Sequence, residues 1–218
     1  MGSSREDRVT PPRRRLIDSP TPFSVTDARS VTGPVGPTIV NVVFDVGLAS
    51  AIADVAAATF PLACPPHSAP DDIAGFIRDN LSPNDFERYI ASPHSDVIVA
   101  RAGQNGPLVG YSLVHHTEPS DADVAAVITA RPVSELSKMY VLPDHHSQGR
   151  EDPPAHRLMR AAIVAATARG SVLIWLGVNQ ENVRAQRFYA KMGFSRAGTK
   201  TFSLNGSVEH DFIFSRAL

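Results

Sequence analysis

Apolar and polar positions follow two periods along this chain, and the switch between them outlines the elements. Thr38 to Val43 is rich in β-branched residues and predicts a strand, and the alanine-rich stretch from about Leu48 to Phe60 predicts a helix. The proline-rich Pro61 to Pro66 predicts a loop, followed by two short helices at Asp71 to Asn80 and Pro83 to Ala91, each with a polar or proline start. Asp96 to Arg101 and Leu108 to His115 read as a hairpin through Gly103-Gln104-Asn105-Gly106. Ser134 to Val141 alternates imperfectly and reads as a central strand that stops at Pro143. From about Pro153 to Arg169, Leu158, Met159, Ala162, Ile163 and Ala166 form one helical stripe, with Gly170 as the stop. Val172 to Leu176 is the continuous apolar run of a strand covered on both faces. A helix from about Gln180 to Met192 puts Ala185, Phe188, Tyr189 and Met192 on one face and ends at Gly193. Lys200 to Leu204 and Val208 to Phe214 close a hairpin over Asn205-Gly206. This order predicts an α/β fold with a mixed sheet rather than a doubly wound parallel one.

The periodic part starts near Thr38. Residues 1–37 hold six of the eighteen prolines and the run Arg13-Arg14-Arg15, with no period, which predicts a mostly disordered leader before one domain at 38–218. The leader lacks the apolar stretch of a secretory signal, and Glu6 and Asp7 spoil a transit-peptide pattern. Net charge changes the picture more: 21 basic against 22 acidic residues leave −1, which argues against a general nucleic-acid binder. The longest membrane-span candidate, Leu48 to Cys64, is interrupted by Asp54 and Pro61, so no membrane partner is expected. The single cysteine, Cys64, forms no internal disulfide and suits a cytoplasmic setting.

Two segments carry a family resemblance. Leu176-Gly177-Val178-Asn179-Gln180-Glu181-Asn182-Val183-Arg184-Ala185-Gln186-Arg187-Phe188-Tyr189-Ala190-Lys191-Met192-Gly193-Phe194 closely resembles the closing motif of GCN5-related N-acetyltransferases (GNAT), and Glu135 to Pro143 looks like the strand before that family's cofactor loop. The likeness covers about Thr38 to Phe214. It implies a GNAT-like mixed, mostly antiparallel sheet of about six to seven strands, splayed in the middle, with helices on both faces. It also implies acetyl-CoA as co-substrate and an amine acceptor, a small molecule or a protein amino group, with a homodimer left open. By the resemblance, the backbone of Met139, Tyr140 and Val141 holds the pantetheine arm and Asn182 contacts the cofactor, with Asn179 and Ala185 beside it. Tyr189 then protonates the departing thiolate; a phenol, with a reference pKa of ~10, keeps its proton at neutral pH. Taken on its own spacing, Tyr189 is equally one more member of a core stripe, and Asn179 sits where a helix N-cap is expected.

The phosphate loop departs from the family pattern. Arg150 and Ala155 fit, but Pro153 and Pro154 remove backbone donors, and Glu151 and Asp152 put negative charge where an anion should sit. An alternative alignment keeps Gln148-Gly149-Arg150 as the loop start. Arg150, His156, Arg157 and Arg160 are the candidates to supply charge from side chains, and Asp152 reads as the cap of the helix that follows. The altered loop motivates a competing reading, a non-catalytic acyl-CoA-binding or interaction module of the same fold. Glu135 is the first choice of general base, with His115 and His116 as alternatives of which at most one faces a cleft. Asp144, His145, His146 and His156 lack recognised ligand spacing, and no metal is expected. His210 and Asp211 read as surface groups.

Overall fold

The computed structural model describes residues 38–146, 151–204 and 207–218; the predicted leader, the turn Asn205-Gly206 and Arg150 lie outside them. Seven strands form one sheet: β1 (Thr38–Val43), β2 (Ser95–Ala102), β3 (Leu108–His115), β4 (Val133–Val141), β5 (Leu173–Asn179), β6 (Ser195–Leu204) and β7 (Ser207–Ala217). Their spatial order is β1-β2-β3-β4-β5-β7-β6, and every neighbouring pair is antiparallel except β4 with β5. That is the mixed, mostly antiparallel sheet the sequence predicted.

The parallel pair decides the architecture of the site. Register between β4 and β5 exists only at Val133 with Leu173, Ser134 with Ile174, and Glu135 with Trp175. Beyond Glu135 both strands continue, to Val141 and to Asn179, without pairing to each other. The sheet therefore splays from Glu135 onward, and Met139, Tyr140 and Val141, which the resemblance assigns to the pantetheine arm, lie on the separated part of β4. On its other edge β4 stays paired with β3 as far as Gly110 with Val141. A Cβ on Gly110 would lie 2.7 Å from the Tyr140 carbonyl oxygen, so the missing side chain lets β3 press against β4 at the open end.

Helices cover both faces. On one lie α1 (Ala49–Thr59), α2 (Pro70–Asn80) and α3 (Pro83–Ala91), burying Ile52, Ala56, Phe60, Leu81 and Phe86 against Val97, Val99, Tyr111 and Leu113. On the other lie α5 (Pro154–Ala168) and α6 (Val183–Lys191); Leu158, Met159 and Ala162 pack with Val109, Leu136, Ile174, Leu176 and Phe194. A short α4 (Ala122–Val127), absent from the sequence reading because six residues carry too little period, is capped by Asp121 and packs with β6. Pro61 does not end the helical run as expected: it opens a 3-10 turn, Phe60–Ala63, which a first-turn proline tolerates. Val46–Ala63 thereby becomes an 18-residue helical run of mean hydropathy 1.6, apolar and long enough on composition alone to cross a membrane, with one face packed into the core.

Candidate active site

The splay opens into a cavity of about 760 Å³ that runs through the sheet, lined from both faces. Phe60, Cys64, Phe76 and Tyr140 line it on the α1 and α2 side, and Ala155, His156, Phe188 and Tyr189 on the α5 and α6 side. The cavity exists because two strands that start as neighbours diverge past Glu135.

Backbone alternation sets what β4 offers to it. The Leu142 N–H donates to the Val109 carbonyl at 2.8 Å, so Leu142 and Tyr140 turn their backbone groups toward β3. Met139 and Val141 turn theirs toward the gap. The Val141 carbonyl accepts from His146 Nε2–H at 2.9 Å, which leaves the Met139 groups and the Val141 N–H facing the cavity. Tyr140 contributes its side chain instead, at the opposite face, with ring centroids 6.5 Å from Phe60 and 5.8 Å from Tyr111.

The β5–α6 turn corrects one reading. Asn182, not Asn179, is the N-cap of α6: its Oδ1 accepts from Ala185 N–H at 3.0 Å. Asn179 ends β5, accepting from Glu181 N–H at 2.8 Å and donating from Nδ2 to Glu209 at 3.3 Å. Gln186, which the sequence did not single out, ties the turn by donating to the carbonyls of Asn179 and Gln180 at 3.0 and 2.9 Å. Together these bonds hold α6 so that Ala185, Phe188 and Tyr189 face the cavity. Burial pushes the Tyr189 phenol up to about 12, so it remains a proton donor across the physiological range. The Tyr189 ring packs on Phe188 and Phe194, as a member of the helical stripe does, and it also lines the gap.

At the start of α5 the negative charge of Asp152 is already matched. Its two carboxylate oxygens accept from Arg157 Nε at 2.8 Å and Arg160 Nη2 at 2.6 Å, which holds its carboxyl below the ordinary carboxylate range. It does not cap the helix; Pro153 occupies that position, with no side-chain bond. Arg157 and Arg160 are thus spent on Asp152, and Pro153 and Pro154 leave Ala155 as the first residue of α5 with an N–H to offer. His156 lines the cavity and packs on Phe188 at 5.5 Å. Positive charge reaches the same cavity from α6: Arg184, Arg187 and Lys191 line it, and none is held by a carboxylate among the described residues. Their i, i+3, i+7 spacing beside the aromatic stripe was the sequence signal for them.

Three carboxylates gather on the α1 and α2 side. Glu135 sits at the apex of the splay, and burial raises its carboxyl against the opposing pull of Lys200 and Lys138. Asp211, read as a surface group, is buried on β7 and lines the cavity; burial raises it too, with Lys200 opposing. Glu209 lies two residues earlier on the same strand face. Gly177 makes the room: a Cβ there would lie 2.7 Å from Lys200 Cε and 3.1 Å from Asp211 Oδ2. Alternating acids at i and i+2 on a closing strand were the available sequence clue, hidden because nothing in one strand says which face meets a cleft.

Of the other candidates, His145 and His146 line the cavity, while the alternative bases lie elsewhere. His115 and His116 do take opposite directions, as a strand requires, and neither lines the cavity. His115 bonds to Ser95, and burial pushes it down to about 4. His116 belongs to a polar chain at the other end of the sheet: Ser134 donates to its Nδ1 at 2.8 Å, its Nε2–H donates to Asp96 at 2.9 Å, and Arg169 donates to Asp96 at 2.8 Å. Among the described residues, no group of three metal-ligating side chains comes together.

The comparisons with known proteins agree with this geometry. The sequence profile of the acetyltransferase (GNAT) family matches residues 57–194. An uncharacterized N-acetyltransferase of Mycobacterium tuberculosis (strain H37Rv) is 43% identical over 170 residues, covering 78% of this chain and 97% of the relative. A PaiA N-acetyltransferase from Thermoplasma acidophilum, solved in complex with coenzyme A, superposes with a TM-score of 0.62 at 17% identity, over 84% of this chain and 99% of that one. A GCN5-related N-acetyltransferase from Rhodopseudomonas palustris gives 0.61 at 16% identity, over 85% and 99%. At such identities these two likenesses speak for the fold.

Proposed function

Because this chain belongs to the acetyltransferase (GNAT) family, with acetyl-CoA as the co-substrate that membership implies, we propose that it moves the acetyl group directly to a primary amine bound in the same cavity. The observation that carries this reading is the loss of register between β4 and β5 after Glu135, which leaves Met139 backbone groups unpaired beside a cavity that Tyr189 also lines.

Each chemical demand of the reaction has a group to meet it. The pantetheine arm is an extended amide chain and suits a strand edge; the Met139 groups and the Val141 N–H supply that edge, and a backbone N–H there polarises the thioester carbonyl. The phosphates lie toward the start of α5, where Ala155 supplies an N–H and Arg184, Arg187 and Lys191 supply charge in place of the donors lost to Pro153 and Pro154. Asn182 acts by capping α6 and so fixing Ala185 and Tyr189. On the acceptor side, Glu135 takes the proton that the amine gives up, and Tyr189 gives one to the departing thiolate.

Tyr189→Phe tests the assignment. Thiol release across an amine panel should fall about 10²-fold in kcat, the range of one lost general acid, while calorimetry finds acetyl-CoA affinity within threefold of the parent. Unchanged turnover would clear Tyr189 of the role.

A further inference from the structure

Resting on the acetyl-transfer reading, we propose that the acceptor is a primary amine carried on an apolar, preferably aromatic, body and bearing a single positive charge. One wall of the acceptor side is aromatic and aliphatic. Phe60 and Phe76 stack with centroids 4.6 Å apart and planes 7° from parallel, Tyr140 meets Phe60 edge-on, and Leu62 stands at the cavity with 62% of its surface exposed. A large apolar side chain left bare at the lip of a cavity is covered when an apolar ligand binds, and flat rings take flat partners.

The facing wall carries the charge. Asp211 and Glu209 are only 9% and 8% exposed, and buried carboxylates call for a cationic partner. The cations already present limit how much more is needed. On the α1 and α2 side of the cavity, with Arg184, Arg187 and Lys191 left to the α6 side, the carboxylates of Glu135, Glu209 and Asp211 face Lys138 and Lys200, a formal balance of one negative charge for one incoming ammonium. A polyamine would bring its further charges against Lys138, Lys200 and the apolar wall.

A loop residue bridges two elements next to that wall. His67, in the loop after Phe60–Ala63, reaches across to the β7 and β5–α6 side, with Nε2 3.3 Å from Glu209 and Nδ1 3.8 Å from Glu181. Glu209 itself lines the cavity, so this bridge stands beside the charged wall of the acceptor side.

Steady-state acetyl transfer from acetyl-CoA should be measured with 2-phenylethylamine, hexylamine, spermidine and a short lysine-containing peptide, for the parent protein and for Leu62→Ser. Because Leu62 is exposed, its replacement does not endanger folding. The expected result is kcat/KM for 2-phenylethylamine at least tenfold above that for spermidine and for the peptide, with Leu62→Ser reducing the ratio at least threefold through KM. Spermidine or peptide used as well as the aromatic amine, or a ratio unmoved by Leu62→Ser, overturns the inference and leaves acetyl transfer standing. Acetyl-CoA binding without transfer to either apolar amine also overturns it. Failure of the parent protein to bind acetyl-CoA in calorimetry would instead overturn the acetyl-transfer reading beneath it.

Discussion

Glu135 and Asp211 reach the cavity from different strands, and burial raises the carboxyl of each while Lys200 opposes the rise. A carboxylate accepts a proton only when ionised, so a raised carboxyl is lost as a base at a higher pH than an ordinary one. The acid limb of kcat/KM is therefore expected above the ~4 of a free glutamate, with activity falling as pH drops through that limb. Glu135→Gln should lower kcat/KM at neutral pH about 10²-fold and remove the limb that belongs to Glu135. A pH profile that keeps its shape and height would transfer the role to Asp211. On the alkaline side, Tyr189 at about 12 keeps its proton, so phenol ionisation sets no limb below that value.

At the level of elements, the β4–β5 gap and the first turn of α5 divide the cofactor's needs. The gap offers backbone groups because Tyr140 and Leu142 bond to β3 while Met139 and Val141 turn the other way. The first turn of α5 offers less, since two prolines lack N–H groups and Asp152 holds Arg157 and Arg160. Asp152→Asn should release both guanidinium groups toward the phosphates. Acetyl-CoA affinity by calorimetry is expected to rise roughly threefold, more at low ionic strength, because exposed charges are screened by salt. Weaker binding would show that the Asp152 pairs position the turn rather than withhold charge from it.

Across the whole molecule, the end of the sheet where β4 and β5 still pair is locked by buried polar groups rather than by apolar packing alone. Asp96 on β2, His116 after β3, Ser134 on β4, Ser171 before β5 and Arg169 after α5 form one hydrogen-bonded chain, with Asp96, Ser134 and Ser171 all buried. It has the residue types of a hydrolase triad but lines no part of the cavity around Tyr189, so its consequence is stability. Asp96→Asn is expected to cost about 2–4 kcal/mol in urea unfolding, with kcat little changed, because the remaining members lose a charged acceptor in a buried site. The sequence by itself determined the order of the strands and of the helices other than α4, the apolar stripes of α5 and α6, and the likeness of Leu176 to Phe194 to a known motif, since each is written in near neighbours of the chain. The N-cap at Asn182 and the pairing of Asp152 with two arginines are local contacts, three to eight residues apart, that the residue pattern did not single out; the separation of His116 from the site and the arrival of Asp211 in it were decided by tertiary structure alone. A strand's pattern says that its side chains alternate; which face meets a cavity depends on a neighbour far along the chain, as Leu173 on β5, paired with Val133 on β4, lies 40 residues on.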